Sequence, residues 1–206
     1  MIETKYLTGW KRCKASIIDS EIISSIDYIL LVPMVFFETY TTKVVILFII
    51  IVINYFYSIF SHARWGQTIG KYIYGIKVKD NNEERRLSIG SAIKRDIVPL
   101  CIECTLFVVQ YFQGKDVLGI YFYEKPYTTE LDTEIMMFLV IPLLWQLLEI
   151  GSMLFSKKRR ALHDFIAHSV VVVEEEPKNW SIGAFWGSIL LASVVKVVSQ
   201  IFISKY

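Results

Sequence analysis

The sequence predicts an all-α polytopic membrane protein of four to five transmembrane helices, with a small cytoplasmic β-hairpin or strand elaboration. Three observations predict it. Of the 206 residues, 54% are hydrophobic and only 20% are charged, where soluble domains carry about 25% charged residues. The apolar residues come in long blocks, which places the chain in the membrane class before any motif is read. One such block ends near Phe155 and runs into Ser156, Lys157, Lys158, Arg159 and Arg160, the basic flank that marks the cytoplasmic end of a span.

A membrane helix needs about 20 mostly apolar residues, and five segments meet that need. Residues 15–37 form the first, weakened by Asp19, Glu21 and Asp27 and open to a kink at Pro33. The same acids, and the lack of a small-residue cleavage site, make it a retained span and not a cleaved signal. Residues 43–60 are the cleanest span, 96–112 are short and interrupted by Glu103, and 134–155 form the fourth. Residues 182–203, with Lys196 inside, read as a fifth span or as a helix lying along the interface. Residues 1–177 thus make one membrane domain, and 178–206 add a C-terminal helix.

The Lys/Arg bias of the loops sets the orientation. Residues 62–95 carry eight basic residues, whereas the 113–134 connection has Lys115 and Lys125 against five acids. The first connection is therefore inside and the second outside, with the N-terminus and the 156–177 element inside as well. This is the pattern of a multi-pass protein of the cytoplasmic membrane. Within 62–95, YIYGIKV, KDNNEE and RRLSI read as strand, turn and strand. HSVVVVEEE is too short to span and too β-branched for a helix, and reads as a third strand beside the hairpin.

Several polar residues bear on function. Arg12, Ala15 and Asp19 fall at i, i+3 and i+7, close to one helix face. Asp19 is then an intramembrane acid with Arg12 at the entrance, or an acid at headgroup level beside a snorkelling arginine. Asp27, Asn54, Glu103, Gln146, Glu149 and Lys196 also lie within spans. Together they suit a proton or cation path, or a structural network such as Lys196 with Glu149. Cys101 and Cys104 form a lone C-x-x-C in an apolar stretch and read as core thiols. Residues 66–71 have one residue too few between Gly66 and Gly70 for a phosphate loop, and Tyr72 follows Lys71, which rejects nucleotide binding. His163 and Asp164 lack the further ligands a metal site needs, so Asp164 is expected to accept hydrogen bonds from local backbone or an arginine. No catalytic constellation, cofactor, metal or nucleic-acid module can be placed, and an enzyme is not expected.

Three blocks together resemble the RDD family of membrane proteins: R-x-x-A-x-x-I-D over 12–19, GQTIGKYIYGIKVKD over 66–80 with Leu87, Ser88, Ala92 and Arg95 after it, and R-x-L-H-D-x-x-A-x-S-V-V-V over 160–173. The departures are Asn81-Asn82-Glu83-Glu84 in place of a glycine-containing turn, and Ser169 in place of a threonine. The resemblance implies that Arg12, Asp19 and Asp164 are the family's named residues. It also implies a structural motif on the cytoplasmic face, containing Gly66, Gly70, Lys71, Gly75, Arg160 and His163. It implies a role in transport, such as monovalent cation/proton exchange, or in membrane accessory work. On the first view Asp19, Asp27, Glu103 and Glu149 handle the ion or proton, Arg12 modulates Asp19, and the chain works as an oligomer. On the second the chain is an assembly or immunity subunit that binds other membrane proteins or peptides. The bilayer is a partner in either case.

Overall fold

The computed structural model describes residues 4–37, 39–113 and 133–205, so the acidic connection expected outside lies largely beyond the described residues. Helix α1 (Gly9–Leu31) is followed by α2 (Tyr40–Trp65), the short α3 (Ile69–Ile73), strand β1 (Ile76–Asp80), α4 (Ile89–Gln113), α5 (Thr133–Phe155), the short α6 (Leu162–Ile166), strand β2 (Ser169–Val173) and α7 (Ser181–Lys205). Two of the described helical stretches, Tyr40–Trp65 and Ser181–Phe202, are long and apolar enough to cross a membrane, and Val140–Phe155 is a shorter apolar one.

Local chemistry sets the boundaries. Pro33 has no amide to donate and its ring crowds the preceding turn, so α1 ends at Leu31 and the chain tightens into a 3-10 turn over Val32–Phe36. Helix α2 stops at Gly66, which takes the left-handed φ of 74° and gives its amide to the His62 carbonyl at 3.0 Å. Ser88 starts α4: its carbonyl accepts the Ala92 amide at 2.9 Å and its hydroxyl accepts the Ser91 amide at 3.1 Å.

The expected hairpin is corrected. Strand β1 pairs antiparallel with β2, in the register Ile76 to Val173 and Asp80 to Ser169, while RRLSI supplies only an isolated bridge from Arg86 to Lys79. Two causes act together. Leu87 is buried and Ser88 is committed to the cap of α4, which leaves no length for a strand. The four valines of β2 offer the better edge, because β2 is covered on both faces. Val171 and Val173 join Ile76 and Val78 against Ala15, Ile18, Ile73 and Ala167, and Val170 and Val172 pack on Tyr6. A strand buried on both sides reads as an unbroken apolar run.

The first expected span also has contacts that its spacing does not foretell. The first three turns of α1 do not stand alone in an apolar medium. Ala15 and Ile18 are buried against α3 and the sheet, Arg12 is buried against Asp164 of α6, and α1 is not among the described helices long and apolar enough to cross by composition. The closest seam lies here. A Cβ on Gly70 would sit 2.1 Å from the Ala15 carbonyl oxygen, so α3 rests on α1 backbone to backbone. Of the two thiols expected in a core, Cys101 is exposed and Cys104 half-buried, because this part of α4 turns them away from the packed side.

Gly70→Ala should therefore lower stability by about 2–4 kcal/mol, since the blocking atom is backbone and cannot step aside. The control is Gly187→Ala, where nothing stands within 4 Å of the new methyl and the change should be neutral or mildly stabilising. Thermal unfolding of the two variants in detergent checks this.

Candidate functional site

Asp164 is the centre of the sheet end of the molecule. It is the third residue of α6, placed so that its Oδ2 accepts the Ala161 amide at 3.0 Å and closes the helix start. It is wholly buried, and two guanidinium groups from distant helices meet it. Arg12 of α1 reaches Oδ2 at 2.8 Å and Arg95 of α4 reaches Oδ1 at 3.0 Å. The Ser169 hydroxyl adds a fourth donor to Oδ1 at 3.2 Å. One carboxylate thus ties α1, α4, α6 and β2 together. Burial alone would push its pKa up, but Arg12 and Arg95, then His163 and the Ala161 amide, outweigh that and hold it well below the usual carboxylate range.

His163 completes the cluster. Its Nδ1 lies 2.5 Å from Glu149 Oε2, while Nε2 faces Arg95 at 2.8 Å and Arg12 at 3.2 Å. Two guanidinium groups can only donate, so Nε2 carries the lone pair and Nδ1 carries the proton, given to Glu149. Burial, and Arg95 and Arg12 beside it, keep the ring's pKa below its ordinary value despite the pull of Asp164 and Glu149. Glu149 also accepts the His163 amide at 3.1 Å. It is therefore spent on α6, and the pairing with Lys196 considered from the sequence does not form. Lys196 lies over the Tyr28 ring at 5.9 Å, because α7 packs on α1.

Asp19 occupies a second place, about 10 Å further along α1 at 1.5 Å per residue. Arg12 turns to Asp164 and not to Asp19. The Asp19 carboxylate instead caps α3. It accepts the Thr68 hydroxyl at 2.5 Å, the Gly70 amide at 2.9 Å and the Tyr57 hydroxyl at 3.1 Å. Tyr57 in turn accepts the Ile69 amide at 3.1 Å. Gly70 thus serves both the close seam and the cap. Gly66 ends α2, and the Gly75 carbonyl accepts the amides of Glu174 and Glu175 at 3.0 and 3.1 Å.

Three of the four consecutive cations do more than mark a side. Arg159 donates to the Leu154 carbonyl at the end of α5 at 3.1 Å, and its own carbonyl accepts from Arg12. Arg160 donates to the Asp164 carbonyl at 3.1 Å and covers the Phe165 ring. Lys158 pairs with Glu83 at 3.0 Å, where the Tyr6 hydroxyl and Lys5 also meet. The Tyr6 hydrogen bond above all, helped by Lys5 and Lys158, pulls the Glu83 pKa down to about 2 against the opposing effect of burial.

Lys71 points its ammonium at His62 Nε2, 2.6 Å away. Burial, and the nearby Arg95 and Arg12, bring its pKa down to about 7, against the pull of Asp19 and Asp96. Further into the bundle, Asn54 of α2 donates to Asp27 Oδ2 of α1 at 3.2 Å. Asp27 Oδ1 is buried with no hydrogen-bond partner among the described residues. Glu103 of α4 acts on both Asp27 and Tyr55. No ion pair among the described residues holds Asp27 or Glu103. Arg95, Ser169, Tyr57, Thr68 and His62 escape sequence reasoning as site residues, and Lys71 is expected only as part of the structural motif on the cytoplasmic face. Arg95 carried a signal, since it closes the motif that begins at Leu87.

These features define a helical, membrane-type protein whose helices are tied at one end by a buried charge cluster under a two-stranded sheet. The chain belongs to the RDD family, whose pattern residues 6–168 match. No curated protein and no solved structure matches it. Strand β2 and helix α7 follow the matched region.

Arg12→Met should cost about 3–5 kcal/mol, the penalty for leaving a buried charge short of its partner. Acid should weaken the fold in the same place. The folded pKa values of Asp164 and His163 both lie below their ordinary values of 3.8 and 6.5. The stability they contribute is therefore complete above 6.5, falls as His163 is driven to protonate, and falls further below 3.8. Thermal unfolding of wild type and Arg12→Met from pH 8 to pH 3 measures both effects, and the wild-type midpoint should drop on the acid side only.

Proposed function

We propose that this RDD protein is a non-enzymatic, transport-related protein that moves a monovalent cation or proton across the cytoplasmic membrane. Its N-terminus would lie inside. Helices α1, α2, α4 and α5 would make four crossings and α7 a fifth, leaving the sheet and the Asp164 cluster on the cytoplasmic face. The observation that carries the reading is Asp27, with one carboxylate oxygen held by Asn54 and the other buried without a partner among the described residues. An acid at that depth is costly to keep unless it has work to do.

Asp27 and Glu103 would handle the ion, on a polar seam shared by α1, α2 and α4. Asp19 and Glu149 would serve the fold instead, because their oxygens already accept donors from α3, α2 and α6. A second reading has one observation in its favour. Glu103 is exposed on the single chain, where a neighbouring copy or a partner membrane protein would cover it.

In proteoliposomes holding the purified protein, an imposed pH gradient should drive proton movement that depends on Na⁺ or K⁺. Asp27→Asn should reduce it at least tenfold, while Asp19→Asn should act by lowering stability. Flux that survives Asp27→Asn unchanged, or none in wild type, sinks the transport reading. A stoichiometric partner that co-purifies from membranes, with no flux, would favour the second.

A further inference from the structure

The polar face of α2 continues from Asp27 to the sheet end of the molecule. Asn54, Ser58 and His62 stand at i, i+4 and i+8, one turn apart on one side of the helix. Their partners extend the line at both ends. Asn54 donates to Asp27 at 3.2 Å, Ser58 Oγ lies 3.4 Å from His62 Nδ1, and His62 Nε2 lies 2.6 Å from Lys71 Nζ. His62 is 2% exposed, so its ring is a closed link and not a surface group. Resting on the transport reading above, we infer that Lys71 and His62 form the cytoplasmic proton port of this protein, and that Ser58 passes the proton on along α2 towards Asp27.

The geometry permits a balanced transfer. With Lys71 as an ammonium, Nε2 must accept, so the ring carries its proton on Nδ1 and offers it to Ser58 Oγ. In transfer, an N–H bond of Lys71 breaks and one forms at Nε2. The Nδ1–H bond breaks, and its proton goes to the Ser58 oxygen, whose own proton moves on. The turn between Ser58 and Asn54 is about 6 Å, and water molecules take the Ser58 proton past the Asn54 amide, which neither gains nor loses one, and release it to the Asp27 carboxylate as its O–H bond forms. The net change is one N–H bond lost at Lys71 and one O–H bond gained at the Asp27 carboxylate, with no redox partner needed. The ring ends as the other tautomer, with Nε2–H facing a neutral amine.

The surroundings suit an amine that releases its proton. Arg95 and Asp96 from α4, Arg12 and Asp19 from α1, and His163 from α6 all act on the pair. Their balance leaves Lys71 titrating near 7, where either form is populated in the cell. An arginine at the same place would hold a charge and never give up its proton.

Two measurements on the full-length protein test the port and the transport reading separately. Nitrogen-15 NMR of the labelled His62 ring from pH 5 to 9 should find the proton on Nδ1 at the acid end and on Nε2 at the alkaline end, with a midpoint near 7. Lys71→Arg should abolish that switch while keeping a cation in place to hold the fold. In proteoliposomes, Lys71→Arg and His62→Gln should each cut proton flux at least tenfold, and Ser58→Ala should cut it less. A tautomer that does not change over this range overturns the port, whatever the flux. Flux that is unaltered in both Lys71→Arg and His62→Gln overturns it too. A tautomer switch without any wild-type flux overturns the transport reading itself, and the port's role with it.

Discussion

The rest of the structure depends on one buried carboxylate. Asp164 sits on a five-residue helix that could not hold itself in water, and its position is decided by what reaches it. Arg12 comes from the first helix and Arg95 from the fourth, 83 residues apart in sequence. Each guanidinium is itself buried, so neither charge has a solvent alternative. An ion pair of this kind adds little net stability over an apolar replacement. What it adds is selection, because any arrangement that separates the three groups leaves an uncompensated charge in a place water cannot reach. The cluster therefore specifies which helix ends meet, and the sheet of β1 and β2 closes over the result.

Asp19 repeats the principle with neutral partners. Three donors from α2 and the start of α3 converge on it, and the absence of a side chain at Gly70 lets α3 approach the Ala15 carbonyl. Helix α1 is thus stapled twice along one stripe, at Arg12 to α4 and α6, and at Asp19 to α2 and α3. This use of its first half accounts for the polar residues that α1 carries there.

Much of this was legible in the sequence, and what was not has a common cause. The stripe of Arg12 and Asp19 follows from helical spacing, and the acceptance of an arginine by Asp164 follows from the cost of burying an acid. Which arginine it is does not follow. Arg12 and Asp19 look like partners because they are local, and tertiary contacts separate them. The strand order failed in the same way. RRLSI is near β1 in sequence, but Ser88 is a better helix cap than a strand residue, and the four valines of β2 bring a core with them. Helix α7 is legible as a long apolar segment, but its neighbours are not. Its packing on α1 decides that Lys196 meets Tyr28 and not Glu149.

The acids of this chain divide by whether their oxygens are satisfied. Asp164 and Asp19 each accept several donors and are fixed in one geometry, and Glu149 is held by the amide and the ring of His163, which makes them poor carriers of a mobile proton or ion. Asp27 has a single amide donor and an unpartnered oxygen, and Glu103 lies near it without a cation. A structural role would be filled better by an asparagine at 27, which could exchange two hydrogen bonds with Asn54 and carry no charge to desolvate. Retaining a carboxylate there makes sense only if its charge or its proton changes during the working cycle. The same test applies at the other end of the line. A lysine set against a histidine, with arginines nearby, is a poor way to hold a helix and a good way to bring an amine into the range where it exchanges protons. The two places where the fold is least well served are joined by one face of α2, and that is the strongest ground for reading the face as a path.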